Sequence, residues 1–104
     1  MAYNGWKNYE SWAVGLWLDN DEGLYNQARE MAREKLTEAR DSKRSAEGLL
    51  ADSLKEWVTS EMIPDLGASL AADLLGAAVS EVDWYEVAEH YLGDLEPEEE
   101  AAAD

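Results

Sequence analysis

The sequence predicts an all-α fold, a compact bundle of four to five short helices with a flexible acidic tail, and three observations predict it. Apolar residues recur at the three-to-four spacing of a helix face through most of the first 92 residues. Residues that cap helix N-termini stand ahead of those runs, at Asn8, at the Asp19-Asn20 pair, at Ser45 and at Ser80 and Asp83. Polar or proline-marked breaks separate the runs, at "RDSKRS" (40–45) and at Ile63-Pro64. A chain of 104 residues is long enough to bury a core without disulfide or metal staples. The expected division is one helical domain over 1–92 and a disordered acidic tail over 93–104.

The first helix begins at Tyr9 under an Asn8 cap, with Glu10 in the turn where the helix dipole favours a negative charge. Its run "WAVGLWL" is compatible with a buried strand, but Tyr9, Trp12, Ala13, Leu16 and Trp17 fall on one helical stripe, which predicts a core-facing side. The second helix, from about Asp21 to Arg40, places Leu24, Tyr25, Ala28, Met31, Ala32 and Leu36 together and charges elsewhere. The third runs from Ala46 to about Met62, with Leu49, Leu50, Leu54, Trp57, Val58 and Met62 inward, until Pro64 disfavours helical geometry at Ile63. In "DLGASLAADLLGAAV" the seam Leu66, Leu70, Leu74 and Ala78 is flanked by glycine and alanine, which predicts the central, most buried helix. The last helix, Trp84 to Leu92, turns Trp84, Val87, Ala88 and Tyr91 inward, and Gly93 ends it.

Charge is distributed unevenly. Twenty-four acids stand against eight bases, a net of −16, and every base precedes residue 56. Such a surface opposes direct binding to nucleic acid or to an anionic membrane and favours a basic protein partner. With no cysteine, disulfide frameworks, thiolate metal sites and cysteine nucleophiles are excluded. No signal-like or bilayer-length apolar run occurs, so the expectation is a soluble, cytoplasmic chain.

The sequence contains little that points to catalysis. His90 is the only histidine and lies one turn from Glu86, but the paired Glu-x-x-His spacing of a carboxylate-bridged metal bundle is missing. A histidine near a helix C-terminus, where the dipole favours its cation, accounts for it. Asp19, Asp21 and Glu30 match three positions of a calcium loop, yet Gly23 and Leu24 stand where a ligand and the turn glycine belong. There is no phosphate-binding glycine loop and no nucleophile elbow. The expectation is a protein that is not an enzyme and takes no cofactor or metal.

Two sets of side chains are the candidate binding residues. Glu56, Glu61, Asp65, Asp73, Glu81, Asp83, Glu86 and Glu89 belong to the base-free half. Carboxylates three or four residues apart on a helix stand about 5–6 Å from each other, close to the spacing of phosphates along a nucleic-acid strand. Tyr3, Trp6 and Tyr9 sit outside or at the edge of the first helix and form a candidate aromatic contact patch, while Trp12 and Trp17 are expected to fix that helix in the core.

"NGWKNYESWAVGLWLDNDEGLY" (4–25) and "DLGASLAADLLGAAVSEVDWYEVAEHYL" (65–92) resemble a family of short uncharacterised proteins carried by phages, plasmids and bacterial chromosomes. Its members open on NGWxNYETWxVxLWxDNDEG and close on LLGAALSEVNWxEIA. Ser11 stands where threonine is usual and Asp83 where asparagine is usual. The resemblance implies a mobile-element setting and no assigned activity. Together with the charge, it leads to the expectation of an acidic inhibitor or DNA mimic occupying the basic nucleic-acid site of a host-defence or other partner protein. The alternative is an assembly adaptor that binds through the Tyr/Trp patch, its charge serving only solubility or adaptation to high salt.

Overall fold

A computed structural model describes residues 5–95, and every element among them is a helix. α1 spans Tyr9–Asp19, α2 Glu22–Ala39, α3 Ala46–Trp57, α4 Leu70–Glu81 and α5 Trp84–Gly93. α3 continues into a π-helical turn, Val58–Met62. Four of the five α-helix starts are capped as the sequence predicts or within a residue of it. Asn8, Asp21, Ser45 and Asp83 each accept the backbone N–H three residues on, at 2.9, 3.0, 3.0 and 3.1 Å. At the fifth, Ser69 caps α4 by accepting the Ala72 N–H. Ile63 is extended (φ −100°, ψ 120°), as the following Pro64 requires.

The core lies where α3 packs on α5 and α2. Leu50, Leu54, Val87, Ala88 and Tyr91 are fully buried there, and Ala28 and Ala32 let the α2 backbone approach closely. α1 rests against α2 and α5, whereas α4 packs only against α1 among the described helices. The tyrosine hydroxyls at this interface are anchored: Tyr91 donates to Asp19 at 2.6 Å, and Tyr25 donates to Asp94.

Three sequence expectations change. α4 is not central: none of its residues is buried, and Leu70 and Leu74 are 75 % and 63 % exposed. Nearly every position of α4 is small or apolar, so composition leaves its rotation undetermined. Ile63 and Val82, which pack on the core at either end, turn Ala72, Leu75, Ala78 and Val79 partly inward, so of the predicted seam only Ala78 is half-buried and Leu66, Leu70 and Leu74 are left outside. α1 is reversed as well. Its buried line is Ser11, Gly15 and Leu18; of the predicted stripe Tyr9, Leu16 and Trp17 are exposed, Trp17 by 74 %, while Trp12 and Ala13 are half-buried. Finally, α5 includes Gly93, and Leu95 is buried in the core. The packed chain therefore extends three residues into the segment expected to be tail, while residues 96–104 lie outside the described residues.

Candidate protein-binding surface

The sequence blocks at the two ends of the chain meet at the α4–α5 junction. Asn8 Nδ2 donates to the Glu81 carbonyl at 2.7 Å, and the Asp83 N–H donates to Ser11 Oγ at 2.8 Å. The Lys7 N–H donates to both carboxylate oxygens of Glu86, at 3.1 and 3.0 Å, and Lys7 Nζ lies 3.7 Å from Asp83. Ser11 thus acts as a buried acceptor, and the chemistry of these residues is spent on holding the fold.

This placement divides the acidic candidates. Asp83 and Glu86 are half-buried and engaged in the junction. Glu56 and Glu61 are exposed and line a groove with Gln27 and Met31 of α2. Glu89 is exposed in a different groove beside Glu47, at the opposite end of α3. Nine residues of helix between Glu47 and Glu56 correspond to about 14 Å. Asp65 is exposed in the turn before α4, where it accepts the Gly67 N–H at 2.9 Å; Asp73 and Glu81 are exposed on α4 itself. The eight carboxylates are therefore distributed over several parts of the surface.

The aromatic candidates divide too. Tyr3 lies outside the described residues. Trp6 is half-buried, its indole packed over Gly15 and 5.1 Å from the His90 ring, so it covers the bundle. Tyr9 is 52 % exposed and stacks at a tilt on Trp12, centroids 5.5 Å apart.

Sequence reasoning named Tyr9 as a contact residue but missed the surface it belongs to, the outer side of α1 together with α4. Tyr9, Leu16 and Trp17 are exposed on α1, and Leu70 and Leu74 on α4. Between the two helices lies an apolar cavity of about 210 Å³, walled by Tyr9, Ala13, Val14, Leu75, Ala78 and Val79 among others. A second apolar hollow of about 230 Å³ shares Ala13, Val14 and Val58 and is also lined by Trp17, Leu18 and Met62. Leu70, Leu74 and Ala78 follow one another at single turns, so the exposed edge of α4 leads into the first cavity. Charges on these segments are of one sign: Glu10, Asp19, Asp65, Asp73 and Glu81 occur on α1, the 63–69 turn and α4, and no lysine or arginine does. The missed signal was in α1, whose apolar residues surround the helix on all sides, the pattern of a helix covered on both faces.

The residues weighed for metal binding have other partners. Asp19 accepts Tyr91 Oη and lies 2.9 Å from His90 Nε2, Asp21 caps α2, and Glu30 pairs with Arg33 at 3.0 Å. Among the described residues no group of three or more His, Cys, Asp or Glu is placed to hold a metal ion. No described helix is long and apolar enough to cross a membrane.

No curated protein and no solved structure matches the chain. A family model matches residues 1–94, and the chain accordingly belongs to a family of unknown function, DUF7249.

Proposed function

We propose that this chain is a non-enzymatic protein-binding module that recognises a basic partner protein through the apolar, acid-rimmed face of α1 and α4. The observation that carries this reading is Trp17: it is 74 % exposed on a helix whose other side is buried, and it lines an apolar hollow that shares Ala13, Val14 and Val58 with the one between α1 and α4. Contiguous exposed apolar surface on a soluble domain marks a contact site, and tryptophan is among the residues that dominate interface energetics. The acids around it steer a positively charged partner and disfavour a negative one.

A nucleic-acid-binding protein, with its basic surface, suits this chemistry, as does the mobile-element, anti-defence setting that the sequence resemblance implies. A continuous phosphate-like track draws less support. Asp83 and Glu86 are engaged internally, and the Glu56-Glu61 pair and Glu89 line grooves at opposite ends of α3.

Capture of binding proteins by the immobilised chain tests the proposal when three forms are compared: wild type, Trp17→Ser with Leu74→Ser, and Glu56→Gln with Glu61→Gln. The first double variant is expected to lose a captured partner, with affinity falling about 30-fold or more, as for an interface hot spot of about 2 kcal/mol. The second is expected to retain it. The reverse pattern refutes the proposal.

A further inference from the structure

Resting on that reading, we infer that the occupant of the α1–α4 face is an amphipathic helix of the partner, apolar along one stripe and flanked by lysine or arginine. The two hollows, about 210 and 230 Å³, fall below the roughly 300–1,000 Å³ of small-molecule sites. They are the size of side-chain anchor points, and because they share Ala13, Val14 and Val58 they adjoin. Large residues one turn apart on an incoming helix stand about 5–6 Å from each other, a separation that suits two adjoining hollows.

The backbone of this site narrows the choice further. Every described element is a helix, so the face has no open sheet edge with unpaired N–H and C=O groups to which an extended segment could add. Recognition through side chains then favours a segment whose own backbone bonds are already made, which a helix supplies. Two neighbouring helices with apolar residues along their shared flank also form the groove into which a third helix packs at about 8–10 Å.

Charge selects the kind of helix. Between Lys7 and Arg29, and again after Lys55, the chain has no lysine or arginine, so Glu10 at the hollow and the exposed Asp65, Asp73 and Glu81 have neither on their own segments. A second copy seated face to face would bring these same acids onto one another, within a chain of net charge −16. Basic residues flanking an apolar stripe meet the rim with opposite sign and leave the leucines and Trp17 to the stripe.

The test is a titration of the full chain, followed by amide chemical shifts, with a synthetic peptide of leucine, lysine and alanine patterned as an amphipathic helix of about five turns. Two comparison peptides are used: one of the same composition scrambled so that no stripe forms, and one of the same pattern with glutamate for lysine. The patterned basic peptide is expected to bind, to move the amides of α1 and α4, and to bind at least about tenfold more weakly to the Trp17→Ser variant. Both comparison peptides are expected to lose about tenfold or more as well. Equal binding of the scrambled peptide, shifts centred on Glu56-Glu61 or Glu89, or no binding overturns the inference. So does a dimeric free chain, by sedimentation, that Trp17→Ser returns to monomer, since the occupant is then a second copy. If the peptide fails while Trp17→Ser still abolishes capture of a cellular partner, the binding face stands and only the helical occupant falls.

Discussion

The indole of Trp6 occupies the space a side chain at position 15 would need. A Cβ built on Gly15 meets Trp6 Cζ2 at 2.6 Å and Cη2 at 2.9 Å. Ordinarily glycine to alanine inside a helix gains about 1 kcal/mol. Here the neighbour is a rigid ring on a buried face, and the cost of overpacking, typically about 1–3 kcal/mol, wins. Gly15→Ala is expected to lower stability by about 1–2 kcal/mol in chemical denaturation. Combined with Trp6→Ala, the same change is expected to become neutral or favourable, which a double-mutant cycle measures.

Ser11 links the two ends of the chain. It is fully buried, and its hydroxyl accepts the Asp83 N–H at 2.8 Å. Ser11→Ala leaves that partly buried donor without its acceptor, at a cost of about 1–3 kcal/mol. A fall in thermal midpoint checks it, together with faster hydrogen exchange at the Asp83 amide. An unchanged exchange rate contradicts the assignment.

Alkaline pH should act on Tyr91. Burial first, then its hydrogen bond to Asp19 and the charge of that carboxylate, push the phenol well above its usual value near 10. The folded state thus holds a proton that the unfolded state releases, and the contribution is complete below about pH 10 and lost as pH rises beyond it. Stability measured in denaturant at successive pH values should fall above pH 10, and less steeply in Tyr91→Phe. Equal slopes in the two proteins contradict the account.

Surface and core leucines should behave differently. Leu54 is fully buried and Leu74 is 63 % exposed, though both lie on apolar helical stripes. Leu54→Ala is expected to cost about 2–5 kcal/mol. Leu74→Ser and Trp17→Ser are expected to change stability by no more than about 0.5 kcal/mol. Thermal melts of the three variants decide the matter.

Four of the five caps, to within a residue, and the break at Pro64 were legible in the sequence because each depends on local chemistry: a side chain three residues from an unpaired N–H, or a ring that forbids one backbone angle. The core of α2, α3 and α5 was legible because their apolar and polar faces differ. In α1 and α4 that contrast is weak, and which side turns inward is settled by distant partners. Trp6 over Gly15, and Ser11 against Asp83, draw the small side of α1 inward; Ile63 and Val82 set the rotation of α4. Large aromatic residues at helical spacing suggested burial for Trp12 and Trp17, but with Ser11 and Gly15 on the inner side Trp12 is half-buried and Trp17 exposed. The candidate site was hidden for the same reason, because it is formed by the outward residues of these two helices. The acids were visible one by one, whereas their dispersal over α3, α4 and α5 is a property of the packed chain.

Photo-cross-linking from single positions in cells that carry the chain locates the binding face, with a photoreactive phenylalanine derivative replacing Trp17, Glu34, Glu56 or Glu89 in turn. A cross-linked partner protein is expected from position 17 and none from Glu34 on the outer side of α2, Glu56 or Glu89. Cross-links from position 56 or 89 with none from 17 place the partner elsewhere and overturn the proposal.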